Sequence, residues 1–301
     1  MKRVDVLSHK PNVLTESQRQ RYWEDGFLVL PDYVDRGWLR RLLDATGALI
    51  DRSREVTHSN NIFVLEQGHS ADDPRLHRVS NPQDHHGTIW DFLKSPLVTD
   101  LVADVVGPDV KFHHGKLNVK SGNSTRTFDW HQDIGGWPHT DFSPVTLGVY
   151  INGCKAEQGP LCFMPGSHKG ALYSLYDKEG KLALRISDED ASKAIDDDRV
   201  VKATGGPGTV VLINCRVLHS SSKNTLKEPR PLLLATYSSA DSFAYTANPH
   251  VSPHAGDIVR GRPAQYASFE TEPVCELPPD FRAGYVQPWV AQHEEANRQK
   301  S

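Results

Sequence analysis

At Val110 the pattern of this 301-residue chain changes, and the change narrows the folds open to it. Upstream, apolar residues recur at three and four. Downstream come short runs, VKFHHGKLNVK, TFDWHQD, VTLGVYING, PLCFM, GTVVLIN and PLLLATYSS, each bounded by Gly, Pro, Asn or Ser. Several short strands separated by turn signals predict a sandwich or barrel. The length exceeds the usual single domain yet fits one all-β barrel with helical additions, so a single domain over 1–301 is expected.

The helical part spans about 14–106. Thr15 before ESQRQRYWEDG and Asp35 before RGWLRRLLDATGALIDRSR read as N-caps, with a strand-like GFLVLP between the two helices. IWDFLKSPLVTDLVADVV is again helical, interrupted at Pro96 and stopped by Gly107-Pro108. The β core covers about 110–245. Inside it a polar stretch, about 170–205, is too long for a hairpin connection and predicts a flap over the barrel. Its Asp196-Asp197-Asp198 run lacks the glycine turn and closing Glu of an EF-hand loop and reads as a solvated acidic face. The tail, 246–301, is rich in Pro and His, and Pro278 to Trp289 is expected to pack back on the barrel.

Composition removes several function classes. The net charge is −4 and no dense Lys/Arg block occurs, so a nucleic-acid partner is not expected. No run approaches eighteen apolar residues, so neither is a membrane span. Cys154, Cys162, Cys215 and Cys275 form no CxxC pair, and the N-terminus lacks the apolar core of a secretion signal; a reducing cytoplasm is the expected location. Monomer and homo-oligomer both stay open.

The chemistry concentrates in Trp130-His131-Gln132-Asp133. On a strand, His131 and Asp133 project an imidazole and a carboxylate to one side. A second imidazole from a distant strand completes a 2-His-1-carboxylate triad, which holds Fe(II) on one face and leaves the other open; His219 is the candidate. A second triplet, His139-Thr140-Asp141, follows Pro138 and runs into Phe142-Ser143-Pro144, a segment punctuated like a loop, so the first is preferred. Eleven residues after His219, Arg230 offers a guanidinium fork for a remote carboxylate, although a strand-opening Arg suits solvent equally well. A strand ending near His219, a turn through Ser220 to Pro229 and an antiparallel return would bring Arg230 to the same cavity.

In order and spacing, WHQD, EQGPLCFMPGSHKG (157–170), GTVVLINCRVLHSSSKN (208–224) and Arg230, together with the opening ESQRQRYWEDGFLVLPDYVD, resemble the phytanoyl-CoA dioxygenase family of Fe(II)- and 2-oxoglutarate-dependent oxygenases. The resemblance covers nearly the whole chain and is weakest in the insertion and the tail. It implies a mainly β fold with flanking helices, a double-stranded β-helix (jelly-roll, cupin-like) core behind a helical N-terminal third. It also implies a catalytic domain with iron on His131, Asp133 and His219 and the distal carboxylate of 2-oxoglutarate on Arg230. By position, Lys116 matches a cosubstrate contact, Tyr150 stands where relatives often carry a Trp beside 2-oxoglutarate, and Ser221 and Asn224 match polar positions after the distal His. Gln158 replaces a usual Asn, and Gly166-Ser167-His168 reads as a turn with a structural His168.

The implied activity is hydroxylation of a small molecule by dioxygen, with 2-oxoglutarate converted to succinate and CO2. Relatives that halogenate leave the carboxylate position empty; Asp133 fills it here. Mouth candidates for the substrate are Arg78, His113, His114, Arg126, Trp137 and His139, a basic and aromatic set. Two other readings stay open at this stage: a metal-binding barrel acting as a non-enzymatic binding or sensor protein, and a cupin-like metal hydrolase or isomerase. A requirement for dioxygen and 2-oxoglutarate separates them from an oxygenase.

Overall fold

The computed structural model describes residues 3–270. After a short helix α1 (Arg3–Ser8), α2 (Glu16–Asp25) is opened by a capping box: the Thr15 hydroxyl accepts from the Gln18 amide while the Gln18 side chain accepts from the Thr15 amide. It closes on Gly26 at φ 85°, where a Cβ would lie 2.5 Å from His168 Nδ1, so both backbone and space require glycine. Strand β1 (Phe27–Leu30) follows, and the Asp35 carboxylate caps α3 (Arg36–Ser53) by accepting from Gly37 and Trp38. Pro96 does not break a long helix. It sits in the first turn of α5 (Pro96–Val106), after the short α4 (Gly87–Leu93), where its missing N–H costs nothing.

The front third is less helical than expected, because β2 (Phe63–Leu65) and β3 (Leu76–Ser80) lie within it. Both are too short to display a period. The remaining strands are β4 (Val110–Lys120), β5 (Phe128–His131), β6 (Val145–Tyr150), β7 (Leu161–Phe163), β8 (Val201–Ala203), β9 (Thr209–Asn214), β10 (His219–Ser221), β11 (Arg230–Ser239) and β12 (Ile258–Arg260); α6 (Asp188–Ala194) lies before β8. They form two antiparallel sheets, the larger in the order β1-β9-β6-β11-β4-β3-β2 with β12 also on β4, the smaller β5-β10-β7-β8. Two facing antiparallel sheets of this kind are the double-stranded β-helix. Among the described residues no helix is long and apolar enough to cross a membrane.

The large sheet is buried on both faces, so its strands read as near-continuous apolar runs. Their alternation separates two interiors. Outward residues such as Leu117, Val119, Val210, Leu212, Leu233 and Ala235 join the main core under α3, α4 and α5. Inward residues such as Val211, Ile213 and Leu232 join a smaller core with Phe27, Leu161 and Phe163 between the sheets. On β4 the alternation is apolar outward against Lys116, Asn118 and Lys120 inward. The pairing of β4 with β11 skips His113, which is the extra residue of a bulge, and this lets Phe112 face the main core while His114 faces in.

Two boundaries differ from expectation. Residues 201–203 pair with β7 as a strand, so the insertion ends before them. The tail contributes β12 to the large sheet and buries His250, so the barrel does not end at 245. The expected packing of Pro278 to Trp289 lies outside the described residues.

The N-terminal segment is fixed by one buried carboxylate. Asp104 on α5 accepts from the amides of Asn12 (2.6 Å), Val13 (2.9 Å) and Leu14 (2.8 Å). Asp104→Ala strands these donors and is expected to lower stability by on the order of 3 kcal/mol. The readout is the urea midpoint; an unchanged midpoint contradicts this account.

Candidate active site

In the small sheet β10 pairs with β5 so that His219 stands directly opposite His131, with ring centroids 4.1 Å apart. Each imidazole is oriented by its own backbone: Nδ1 of His131 donates to the Asp129 carbonyl (2.7 Å) and Nδ1 of His219 to the Val217 carbonyl (3.0 Å). A carbonyl only accepts, so Nδ1 carries the proton and each Nε2 keeps its lone pair. Both Nε2 atoms face Asp133 Oδ1, at 3.9 Å from His131 and 3.8 Å from His219. The three ligand atoms lie within 4.8 Å of one another. Burial pushes the Asp133 carboxyl up, but His219, Lys116, His131 and the Thr146 hydroxyl outweigh it and hold it below the usual range. Burial, with His219 beside it, pulls His131 down. Both side chains are thus held in the forms that can bind a metal.

Asp133 does not share a strand with His131. β5 stops at His131, and Asp133 opens a 3-10 turn, Asp133–Gly135, that swings its carboxylate back toward the sheets. Thr146 on β6 fixes it by donating to Oδ2 at 3.0 Å. Gln132, between the two ligands, is buried and serves the flap: its Nε2 donates to the carbonyls of Ala171 (3.1 Å) and Arg216 (2.7 Å), and its Oε1 accepts from the Tyr173 amide (3.1 Å). The competing triplet is separate. His139 also bonds a backbone carbonyl through Nδ1, but Asp141 caps Ser143 and no third ligand joins them among the described residues.

Two cavities meet at this cluster. The inner one, about 540 Å³, runs from His131, Asp133 and His219 to Ser221 and Arg230. Arg230 arrives by a route other than the expected hairpin: His219 begins β10 in the small sheet, whereas Arg230 opens β11 in the large one, so the two sheets deliver them from opposite sides. Arg230 is buried, its Nη2 donates to the Gly159 carbonyl (2.9 Å), and Nε and Nη1 have no hydrogen-bond partner among the described residues. Buried guanidinium donors left this way call for an acceptor. Lys120, which sequence reasoning missed, stands beside Ser221 (Nζ to Oγ 2.8 Å); burial, then Arg230, pulls its ammonium down to about 7. Tyr150 does not wall this cavity. It lies behind Arg230, ring to guanidinium 5.7 Å, with its hydroxyl accepting from the Leu161 amide.

The outer cavity, about 700 Å³, is lined by Arg78, Lys116, Phe128, Trp137 and His250, and by Leu175, Leu184 and Arg185 of the insertion. Lys116 Nζ lies 4.2 Å from the Trp137 ring centroid. Arg78 and Trp137 therefore line the cavity as expected, and Lys116 and Arg78 line both cavities. His114 and Arg126 do not line it. His114 is fully buried behind the wall, edge-on to Trp137 and stacked on His250, and Arg126 is on the side of Glu66, whose charge acts on it. His113 and His139 pack in the same layer as His114.

A sequence profile of the phytanoyl-CoA dioxygenase family matches residues 22–232. The chain belongs to that family. As a family member it is an oxygenase, which sets aside the binding-protein and hydrolase readings. It is 26% identical over 246 residues to a probable alpha-ketoglutarate-dependent hypophosphite dioxygenase of Stutzerimonas stutzeri, covering 81% of this chain and 86% of the relative. It is 26% identical to the L-proline trans-4-hydroxylase of Streptomyces griseoviridis, covering 72% and 84%. In fold it is similar to the crystal structure of EctD from S. alaskensis with 2-oxoglutarate and 5-hydroxyectoine, with TM-score 0.64, 21% identity, and 91% and 92% coverage.

Within this family member, the residues hidden from sequence reasoning are those whose role depends on strand facing. Thr146 lies in an unremarkable VTLGVY run, and Lys120 differs from Lys116 only by four positions on one strand. The parity of β4 was the available signal, since Lys116, Asn118 and Lys120 all point inward. The layer behind Trp137 carries its own cost. Burial holds His113, His114 and His250 well below 6.5 and His139 down to about 4. The unfolded chain binds protons below 6.5 that the folded protein refuses, so stability is lost as pH falls through that value. About 1 kcal/mol per histidine is expected to disappear between neutral pH and about pH 5.5. Urea midpoints at the two pH values check it, and equal midpoints would show that these imidazoles accept protons while folded.

Proposed function

We propose that this family member is a non-haem Fe(II)- and 2-oxoglutarate-dependent dioxygenase that hydroxylates a small molecule, one oxygen atom entering a C–H bond and the other entering succinate as CO2 leaves. The observation that carries this reading is the convergence of two Nε2 lone pairs and one carboxylate beside a buried Arg230 whose Nε and Nη1 lack partners among the described residues. His131, Asp133 and His219 would hold the iron, which when bound supplies the activation of dioxygen. Thr146 holds the carboxylate in place, and the two backbone-bonded Nδ1 atoms hold the rings. Arg230 would take the distal carboxylate of 2-oxoglutarate, with Ser221 and Lys120 beside it. Among the described residues the buried Cys154, Cys162 and Cys215 form no disulfide, in keeping with a cytoplasmic location.

Replacing His131, Asp133 or His219 with Ala is expected to abolish iron binding in an anaerobic titration, whereas His139→Ala retains it. Iron retained by a triad variant, or lost from His139→Ala, would place the metal elsewhere. Arg230→Ala is expected to weaken 2-oxoglutarate by about 2 to 5 kcal/mol with iron affinity little changed, and Arg230→Lys to restore part of the loss. An unaltered cosubstrate affinity would reassign that carboxylate.

The insertion from Gly170 to Val200 is read as a flap. Leu175, Ala183, Leu184 and Arg185 line the outer cavity, while Ile186 anchors the segment in a small core with Met164 and Leu218. Shortening the exposed turn 177–182 is expected to leave iron and 2-oxoglutarate binding intact and to raise the ratio of succinate to hydroxylated product, because water then reaches the reacting centre. A ratio that does not move identifies the turn as scaffold.

A further inference from the structure

At the Arg230 end of the inner cavity one strand register brings two cations together. Lys120, the last residue of β4, stands directly opposite Arg230, the first of β11, and directly opposed residues project to the same face. The two are placed differently. Arg230 lines the cavity together with Ser221 of β10, and its Nε and Nη1 lack partners among the described residues. Lys120 does not line it. Its ammonium stands behind Ser221, donating to Ser221 Oγ at 2.8 Å and to the Ser222 carbonyl. Room for it is built in: a Cβ on Gly159, which sits at φ 69°, would lie 2.8 Å from Lys120 Cδ.

The direction of one hydrogen bond gives Lys120 its role. An ammonium can only donate, so Ser221 Oγ accepts from it and the hydroxyl proton is left for another acceptor. Among the described residues that proton has none, and Ser221 faces the cavity. A neutral amine would instead accept from Ser221 and turn the proton away from the cavity.

We propose that Lys120 is a positioning residue for the cosubstrate: as an ammonium it keeps the Ser221 hydroxyl proton aimed into the inner cavity, where that proton joins Arg230 Nε and Nη1 on the distal carboxylate of 2-oxoglutarate. This rests on the Fe(II)/2-oxoglutarate reading and adds a proton to it. Burial, then Arg230, pulls the Lys120 ammonium down to about 7. The other charged or titratable groups that act on it are Cys154 and Cys162, whose thiols burial pushes up, and Glu66, already engaged by Ser124 (2.9 Å) and Arg75 (3.7 Å). An arriving carboxylate supplies the negative charge this corner lacks, so the lysine regains its proton as 2-oxoglutarate binds. Affinity is therefore greatest below about 7 and falls as pH rises above it.

The test is anaerobic calorimetric titration of the Fe(II)-loaded protein with 2-oxoglutarate at about pH 7.5 in two buffers of different ionisation enthalpy, with affinities measured also at about pH 6.5 and about pH 8. The wild-type protein is expected to take up roughly half a proton or more, and to bind about fivefold more weakly at the higher pH than at the lower. Lys120→Met should cut the uptake by about half or more and weaken binding about tenfold at the lower pH, with Fe(II) affinity changed less than about threefold. Adding Lys120→Met to Ser221→Ala should cost less than about threefold beyond Ser221→Ala alone, because the lysine acts through that hydroxyl. If Lys120→Met does not fold, Lys120→Gln, which can still donate to Ser221 but has no proton to exchange, gives the same reading of uptake. Wild-type binding without proton uptake, uptake undiminished in the lysine variant, or single losses that multiply in the double variant overturns the proposal and leaves the oxygenase reading in place. Failure of the wild-type protein to bind 2-oxoglutarate at any of these pH values overturns both.

Discussion

One strand must be dry on one face and charged on the other, and the molecule is arranged around that requirement. β4 sends Leu117 and Val119 into the main core and Lys116, Asn118 and Lys120 into the space between the sheets. Removing a cation from water is costly unless partners replace the solvent. The inner face cannot therefore be the source of stability, and the apolar seam between the large sheet and α3, α4 and α5 has to supply it. Most of the buried aliphatic residues lie in that seam, and the smaller core between the sheets is correspondingly thin.

The site is also divided between the sheets. The small sheet carries His131 and His219 as a cross-strand pair, and the large sheet carries Arg230, Lys116 and the Thr146 hydroxyl that fixes Asp133. Neither sheet alone holds a complete set of groups for metal and cosubstrate. Closing the barrel and assembling the chemistry are consequently the same event, and changes in the outward core can act on the site without touching it.

Much of this was legible in the sequence, and the failures share a cause. Thr15 and Asp35 announced their helices through capping chemistry, which is local. The apolar runs of β4, β6, β9 and β11 announced strands because each is flanked by turn residues. His131, Asp133 and His219 were picked out by residue type and do converge, although the geometry assumed for Asp133 was wrong, since a 3-10 turn and not a strand aims it. Strands of three residues, β2, β8, β10 and β12, carry no period. The positions of Tyr150, His114 and Arg126 were misjudged because lining a cavity depends on which side chains stand in front, as Arg230 does for Tyr150 and Trp137 for His114. Pairing across sheets left no mark in either strand.

Gln132 gives the insertion two zones with different tolerance for change. Its carboxamide, seated between adjacent metal ligands, is bonded to the backbone of Ala171 and Tyr173. The segment leaving the barrel at 170–173 is thus mechanically part of the chain that carries His131 and Asp133, whereas Leu184 and Arg185 line the outer cavity. A graft from another family member that begins after Tyr173 and ends before Ile186, whose amide donates to the Trp130 carbonyl, exchanges the cavity wall and leaves the Gln132 bonds as they stand. One that begins a few residues earlier replaces the Ala171 carbonyl and the Tyr173 amide that hold Gln132 between His131 and Asp133. The chain therefore contains its own seam for recombination, set by a single amide.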